Sequence, residues 1–287
     1  MDKDNILWLS STNFGVFRIS FPVQQFNLLH PSGNSFTQNK SVKSLQQTRN
    51  GDIWVAYRNA EVYQLNKYGA VKQVYNNKSF NIGSVYHMME DSRGNIWFST
   101  KGNGVVLAEP DPKSRYGFRF SRYTYDEENP NSLSGNDVYY TYEDSKNRVW
   151  IALFGGGLNL TQWQQGKLTF KNKFNSFEKY PGYGLYMEVR NIAEDKEGRL
   201  WVGTSDGLLS FPISFTNPDK IDFEIYRNET ANSNVSDNDI YVLYKDSEQD
   251  LWAGVFGGGI NKLTGYDEKK HRPIFKQYSN RTGLKSN

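Results

Sequence analysis

Six tryptophans held in one register constrain this chain more than any other feature. Trp8, Trp54, Trp97, Trp150, Trp201 and Trp252 follow at intervals of 46, 43, 53, 51 and 51 residues, and Trp163 stands outside the series. Six residues before them come Asp2, Thr48, Asp91, Asp144, Asp195 and Asp246. Six residues earlier again comes a β-branched residue in every unit but the first: Val42, Val85, Val138, Val189 and Ile240. No unit shows a 3.6-residue apolar period, so paired-helix solenoids are excluded and strands remain.

Each unit has the same parts. The run from Val138 to Tyr142 is β-branched and aromatic, as a buried inner strand should be. An Asp-x-x-Gly turn follows, as in Asp91 to Gly94 and Asp195 to Gly198, with Asn147 standing in for the glycine in one unit. Asp can accept from the backbone ahead of it, while Gly or Asn takes the positive φ that such a turn needs. A short strand then carries the Trp, and a glycine-rich bend ends it: Phe154 to Gly157, Phe256 to Gly259, Lys101 to Gly104. A third strand and a fourth ending in Phe-x-x-Tyr (Phe223 to Tyr226, Phe275 to Tyr278) complete the unit.

Four antiparallel strands in this length make one blade, so the fold class is all-β, a β-propeller in a single domain. The units run roughly over 1–34, 35–77, 78–130, 131–181, 182–232 and 233–287 and are numbered here as blades one to six. Blade one lacks its inner strand. In the same register the next inner strand would begin two residues past Asn287. The expectation is five complete blades plus three strands of a sixth, incomplete at both ends and excerpted from a larger propeller.

Composition closes off several functions. A formal charge of +3, with no run of Lys or Arg longer than two, speaks against a nucleic-acid partner. The absence of cysteine removes disulfides and thiolate metal sites. No apolar stretch reaches the roughly 18 residues of a membrane span, and Met1 runs straight into Asp2-Lys3-Asp4-Asn5 with no signal peptide. His30, His87 and His271 occupy different places in the repeat and form no ligand spacing, so no metal site is expected. Asp91, Asp144, Asp195 and Asp246 recur once per blade, which suits a turn and not an acid–base pair. Gly155-Gly156-Gly157 is followed by no Lys-Ser/Thr and is not a phosphate loop. No catalytic residue and no cofactor is expected.

These residues also carry a family likeness. Glu90-Asp91-Ser-Arg-Gly-Asn-Ile-Trp97, Glu194-Asp195 through Thr204, and Asn136-x-Val138 leading to Glu143-Asp144, Trp150 and Gly156-Gly157-Leu158-Asn159 resemble the two-component regulator propeller repeat. The likeness weakens in blade two, where Thr48 replaces the Asp and the bend shortens to Tyr57-Arg58-Asn59-Ala60. The resemblance implies a periplasmic sensor region of a bacterial hybrid two-component system, binding a glycan breakdown product and signalling through a histidine kinase outside this chain. It implies as partners an oligosaccharide, the remainder of the sensor protein with further blades or domains, and a second copy in a homodimer.

Blade geometry selects the binding face. The inner strand starts on the face that carries the bend between strands two and three, and the Asp-x-x-Gly turns lie opposite. The first face collects Lys43, Tyr86, Tyr139, Arg190 and Tyr241, each one residue after the β-branched marker. It also collects the bend residues Asn13, Phe14, Arg58, Lys101, Phe154, Asp206 and Phe256. Aromatic faces stack on sugar C–H groups, and Arg, Lys, Asn and Asp fix hydroxyls or carboxylates. Any one of these can equally be an ordinary loop residue, and the glycine triplets can be tight bends. Two rivals remain: an interaction or dimerisation platform with no small ligand, and a carbohydrate-active lyase or hydrolase.

Overall fold

The computed structural model describes residues 6–11, 15–20, 41–228, 234–267, 269 and 272–284. Asp2, Asn13, Phe14, His30, His271 and the third strand of blade one lie outside the described residues, as do the side chains of the strands that carry Trp8.

Strands account for nearly all the regular structure. Blade one contributes β1 (Ile6–Ser11) and β2 (Gly15–Ser20), paired as a hairpin. Five four-stranded antiparallel meanders follow. Blade two holds β3 to β6 (Val42–Gln47, Ile53–Tyr57, Val62–Leu65, Val71–Tyr75), and blade three holds β7 to β10 (Ser84–Glu90, Ile96–Lys101, Val105–Pro110, Phe118–Tyr123). Blade four holds β11 to β14 (Val138–Glu143, Val149–Leu153, Gly157–Gln164, Lys167–Lys171), and blade five holds β15 to β18 (Val189–Glu194, Arg199–Thr204, Gly207–Pro212, Glu224–Tyr226). Blade six holds β19 to β22 (Ile240–Lys245, Leu251–Val255, Gly259–Asp267, Arg272–Tyr278). Each inner strand from β3 to β15 packs beside the inner strand of the next blade.

The core lies between blades. Trp54, Ala56, Val62 and Tyr75 of blade two close against Val85, Met88, Ile96 and Phe98 of blade three. Trp150 of blade four meets Val189, Ile192 and Val202 of blade five, and Trp201 of blade five meets Ile240, Leu243 and Ala253 of blade six. A single sheet cannot bury both faces, so each interface is completed by its neighbour.

The aspartate of the frame does two jobs. Asp144 Oδ1 accepts from the backbone N–H of Lys146 and Arg148, closing the turn. Its Oδ2 accepts from the indole N–H of Trp150 at 2.8 Å. The same indole bond joins Trp97 to Asp91, Trp201 to Asp195 and Trp252 to Asp246. The constant six-residue spacing therefore ties the turn to the core ring as well as shaping it. The residue before Asp91, Asp144 and Asp195 clamps the preceding blade: Glu90 accepts from Arg49 N–H, Glu143 from Ser92 N–H and Oγ–H, and Glu194 from Ser145 N–H. Glu143→Ala should cost about 1–2 kcal/mol in denaturant unfolding, since it removes two charge-assisted bonds at a partly exposed site. A change under a few tenths would mean that the clamp holds nothing.

The two outermost complete blades, two and six, depart from the common pattern. Val42 and Leu45 on β3 are 54% and 64% exposed, whereas their counterparts Val85 and Met88, Val189 and Ile192, and Ile240 and Leu243 are buried. On blade six, Ile260 is 38% exposed while Val62, Val105, Leu158 and Leu208 at the same place are buried. Trp252 is accordingly only half-buried, unlike Trp54, Trp97, Trp150 and Trp201. Among the described residues, no neighbouring face covers that side.

Candidate functional site

The linker entering each inner strand and the bend closing the Trp strand meet on one face. Phe154 N–H donates to Asp137 O, Phe256 N–H to Asp239 O and Gly207 N–H to Asn238 O. The glycine triplets are tight bends with one open corner. A Cβ on Gly156 would meet Leu153 and Ser134, and one on Gly258 would meet Ser236, whereas Gly155 and Gly257 have nothing within 4 Å. The backbone beside Phe154 and Phe256 is thus approachable only at that first glycine.

A feature absent from the sequence reading explains why the marker-plus-one residues face the centre. In all five complete blades the ladder slips between the marker and the residue two beyond it: Val42/Ser44, Val85/His87, Val138/Tyr140, Val189/Asn191 and Ile240/Val242. Lys43, Tyr86, Tyr139, Arg190 and Tyr241 are the residues skipped by that pairing. A β-bulge leaves one residue out of the ladder and re-aims its side chain, and bulges concentrate beside functional sites.

The re-aimed side chains touch in sequence around the face. Lys43 Nζ lies 5.7 Å from the Tyr86 ring centre. Tyr86 meets Tyr139 edge to face at 5.1 Å, and Tyr139 stacks on Phe154 at 5.1 Å. Arg190 lies 5.6 Å from Phe154 and 4.6 Å from Tyr241, and Tyr241 approaches Phe256 at 6.1 Å. Five blades therefore contribute to one unbroken run of rings and cations. Asp239 pairs with the Arg190 guanidinium and fixes its plane between the two rings. The run opens outward at one end, where Tyr241 and Phe256 are 59% and 69% exposed.

Electrostatics follow from that packing. Burial, with Tyr86 beside it, raises the Tyr139 hydroxyl above its ordinary pKa, while Lys101 and Arg190 pull the other way. Tyr139 is therefore a neutral donor and acceptor at neutral pH, and Lys101 sits close enough to act on it. Arg58 stays apart as an exposed residue of the short blade-two bend. Asp206 is turned aside by Arg227, whose Nη2 lies 2.9 Å from its Oδ1. Of the residues collected on this face, Tyr86, Tyr139, Phe154, Arg190, Tyr241 and Phe256 form the run, with Lys101 beside it. Lys43 joins them, and Asp239 is the residue that sequence reasoning did not single out.

His87 lies off this run. Its ring stacks on Tyr140 at 3.8 Å, and its Nδ1 accepts from the Thr141 N–H at 3.3 Å. Enclosure pushes its pKa down to about 3, which marks a neutral packing residue. Among the described residues, no three His, Cys, Asp or Glu side chains are grouped to hold a metal ion.

The model of the two-component regulator propeller family matches residues 79–102, 132–155 and 184–206, the inner-strand, turn and Trp-strand portions of blades three, four and five. A histidine kinase of Formosa agariphila is 25% identical over 262 residues, a span covering 75% of this chain and 19% of that protein. The extracellular domain of a hybrid two-component system from B. thetaiotaomicron is similar in fold at 18% identity and TM-score 0.56, over 84% of this chain and 31% of that one. Virginiamycin B lyase from Staphylococcus aureus matches at 16% identity and TM-score 0.54, over 96% of this chain and 78% of that one. The chain thus spans about a fifth of the kinase and a third of the extracellular domain.

Proposed function

We propose, from the premise that this chain belongs to the two-component regulator propeller family through its repeats, that it is the ligand-sensing part of a hybrid two-component signalling protein. The ligand is a glycan-derived oligosaccharide, held on the face where five bulges converge. The observation that carries this reading is the continuous run from Lys43 to Phe256. Flat rings at about 5 Å spacing offer successive stacking surfaces, and Arg190, Lys101 and Lys43 supply donors for hydroxyls or carboxylates. The two acids on this face with cationic partners, Asp239 and Asp206, are held by Arg190 and Arg227, which favours binding over turnover. The similar domain described as extracellular supports a periplasmic setting.

A second partner is suggested by the uncovered faces of the end blades. Val42 and Leu45 on one side, and Trp252 and Ile260 on the other, are the two halves of an ordinary blade junction. Further propeller from the parent sensor protein fits them, and it is the remainder of that protein that we expect to bind there.

A thermal-shift screen against defined oligosaccharides tests the ligand. Binding at one hundred times the dissociation constant adds roughly 2.7 kcal/mol to stability, a visible shift. One glycan class should raise the melting temperature and be recovered unchanged. Arg190→Ala should weaken it at least about tenfold while leaving the unliganded melt near that of the parent. A well-folded chain that no oligosaccharide shifts would turn the assignment toward an interaction platform.

A further inference from the structure

The clamp between blades fails at one junction. Blade six carries Lys245 where blades three, four and five carry Glu90, Glu143 and Glu194. A lysine cannot accept from a backbone N–H, so the turn of blade five has no glutamate closing on it. Lys196 of that turn reaches only to 3.7 Å from Asp250 across the junction. Here, on the turn face and away from the ring of bulges, a cavity of about 450 Å³ opens between blades five and six. Its volume lies within the range of small-molecule sites.

The walls are specific in chemistry. Leu251, Leu263, Trp201 and Tyr266 provide apolar and aromatic surface. Two ion pairs lie at the wall, while the exposed Glu197 carboxylate on it has no ion pair among the described residues. Arg199 pairs with Glu224, and Asp250 lies 2.6 Å from Lys262. All the bonds that Glu224 receives, from Arg199, Tyr226 and Tyr266, end on Oε2, which leaves Oε1 an unused acceptor on a partly exposed side chain. The Arg199 Nε is enclosed without a partner. The ion pair thus presents one unfilled acceptor to the cleft, with an unfilled donor enclosed behind it. The strand beneath it also bulges: the β21–β22 ladder slips between Leu263 and Gly265. A Cβ on Gly265 would meet nothing within 4 Å. The clamp loss, the unfilled polar atoms and the bulge coincide at this junction.

We propose that this cleft is a second binding site, for a neutral polyhydroxylated ring of monosaccharide size. A hydroxyl can donate to Glu224 Oε1, while the ring's C–H face lies on the partly exposed Tyr266. An anionic ligand would find no unpaired cation in the wall, would face the Glu197 carboxylate, and would lose its hydration for nothing. A purely apolar one would leave Glu224 Oε1 unsatisfied. The site is on the opposite face from the oligosaccharide run and does not depend on that assignment.

The test is a titration of the chain with D-glucose, D-galactose, D-mannose and L-rhamnose, with glucosamine and glucuronate as charged comparisons. Saturation-transfer NMR reports contact, and tryptophan fluorescence reports the environment of Trp201. At least one neutral sugar should bind saturably and more tightly than glucuronate. Gly265→Tyr, which fills the cleft from a position with room for a side chain, should weaken it at least about tenfold with an unchanged melting temperature. Lys245→Glu, restoring the clamp, should narrow the cleft and weaken binding without unfolding the chain. Arg190→Ala, on the other face, should leave the affinity as it was. No saturable binding, glucuronate binding more tightly than every neutral sugar, loss of binding in Arg190→Ala, or parental affinity in Gly265→Tyr would each overturn the proposal.

Discussion

Trp201→Ala is expected to destabilise the chain by about 3–5 kcal/mol, close to the stability of many whole domains. The ring is fully buried, lies 5.6 Å from Tyr226 of its own blade and 6.1 Å from Phe275 of the next. Its indole N–H also donates to Asp195, a carboxylate that is itself buried. The substitution leaves a cavity across the blade junction and removes one bond from that carboxylate. Trp201→Phe should recover most of the packing and isolate the loss of the indole bond. The half-buried Trp252 should cost less than Trp201 when truncated, and Trp163→Ala, exposed and outside the frame, should stay within about 0.5 kcal/mol. Denaturant midpoints for the four variants check the ranking. Equal losses at Trp163 and Trp201 would mean that the repeat tryptophans do not lock the blades.

The ranking rests on what the spacing alone made legible. A residue type recurring at one offset in unit after unit has to answer a demand that recurs, and blade-on-blade packing is such a demand. That logic locates the strands, the turns and the face that collects Tyr86, Tyr139, Arg190 and Tyr241. It cannot show which partner a side chain meets some fifty residues away. Glu90, Glu143 and Glu194 stand in plain view before each aspartate, yet their hydrogen bonds end in the previous blade. Asp239 reads as a linker residue until the bulge at Arg190 swings the guanidinium onto it. Asp206 looked equivalent to Phe154 by position, but Arg227 claims it. The bulges themselves leave no mark in the sequence, because the slip is a property of pairing between two strands. Register is set by whole faces, and a single skipped residue is invisible until both strands are placed.

His87 gives the chain an acid-sensitive junction between blades three and four. Its ring is stacked on Tyr140 and accepts from the Thr141 N–H, so the folded state holds it neutral down to a pKa of about 3, against 6.5 when unfolded. Between those values the unfolded chain binds a proton that the folded chain does not. Stability therefore rises with pH across the window and falls as pH drops from 6.5 toward 3. Each unit of difference in pKa corresponds to about 1.4 kcal/mol. Discounted because the residue as a whole is half-buried, the total is roughly 3 kcal/mol over the window. Carboxylates such as Asp246, whose pKa is lowered chiefly by the Trp252 indole bond, shift stability in the same direction at the acid end. The difference between parent and variant isolates the histidine. His87→Phe keeps a ring against Tyr140 but cannot be protonated, so its denaturant midpoint should fall more gently than the parent's, with the gap opening already near pH 6. Parallel slopes would show that the imidazole is protonated in place, and that the junction tolerates a charge which its packing is built to exclude.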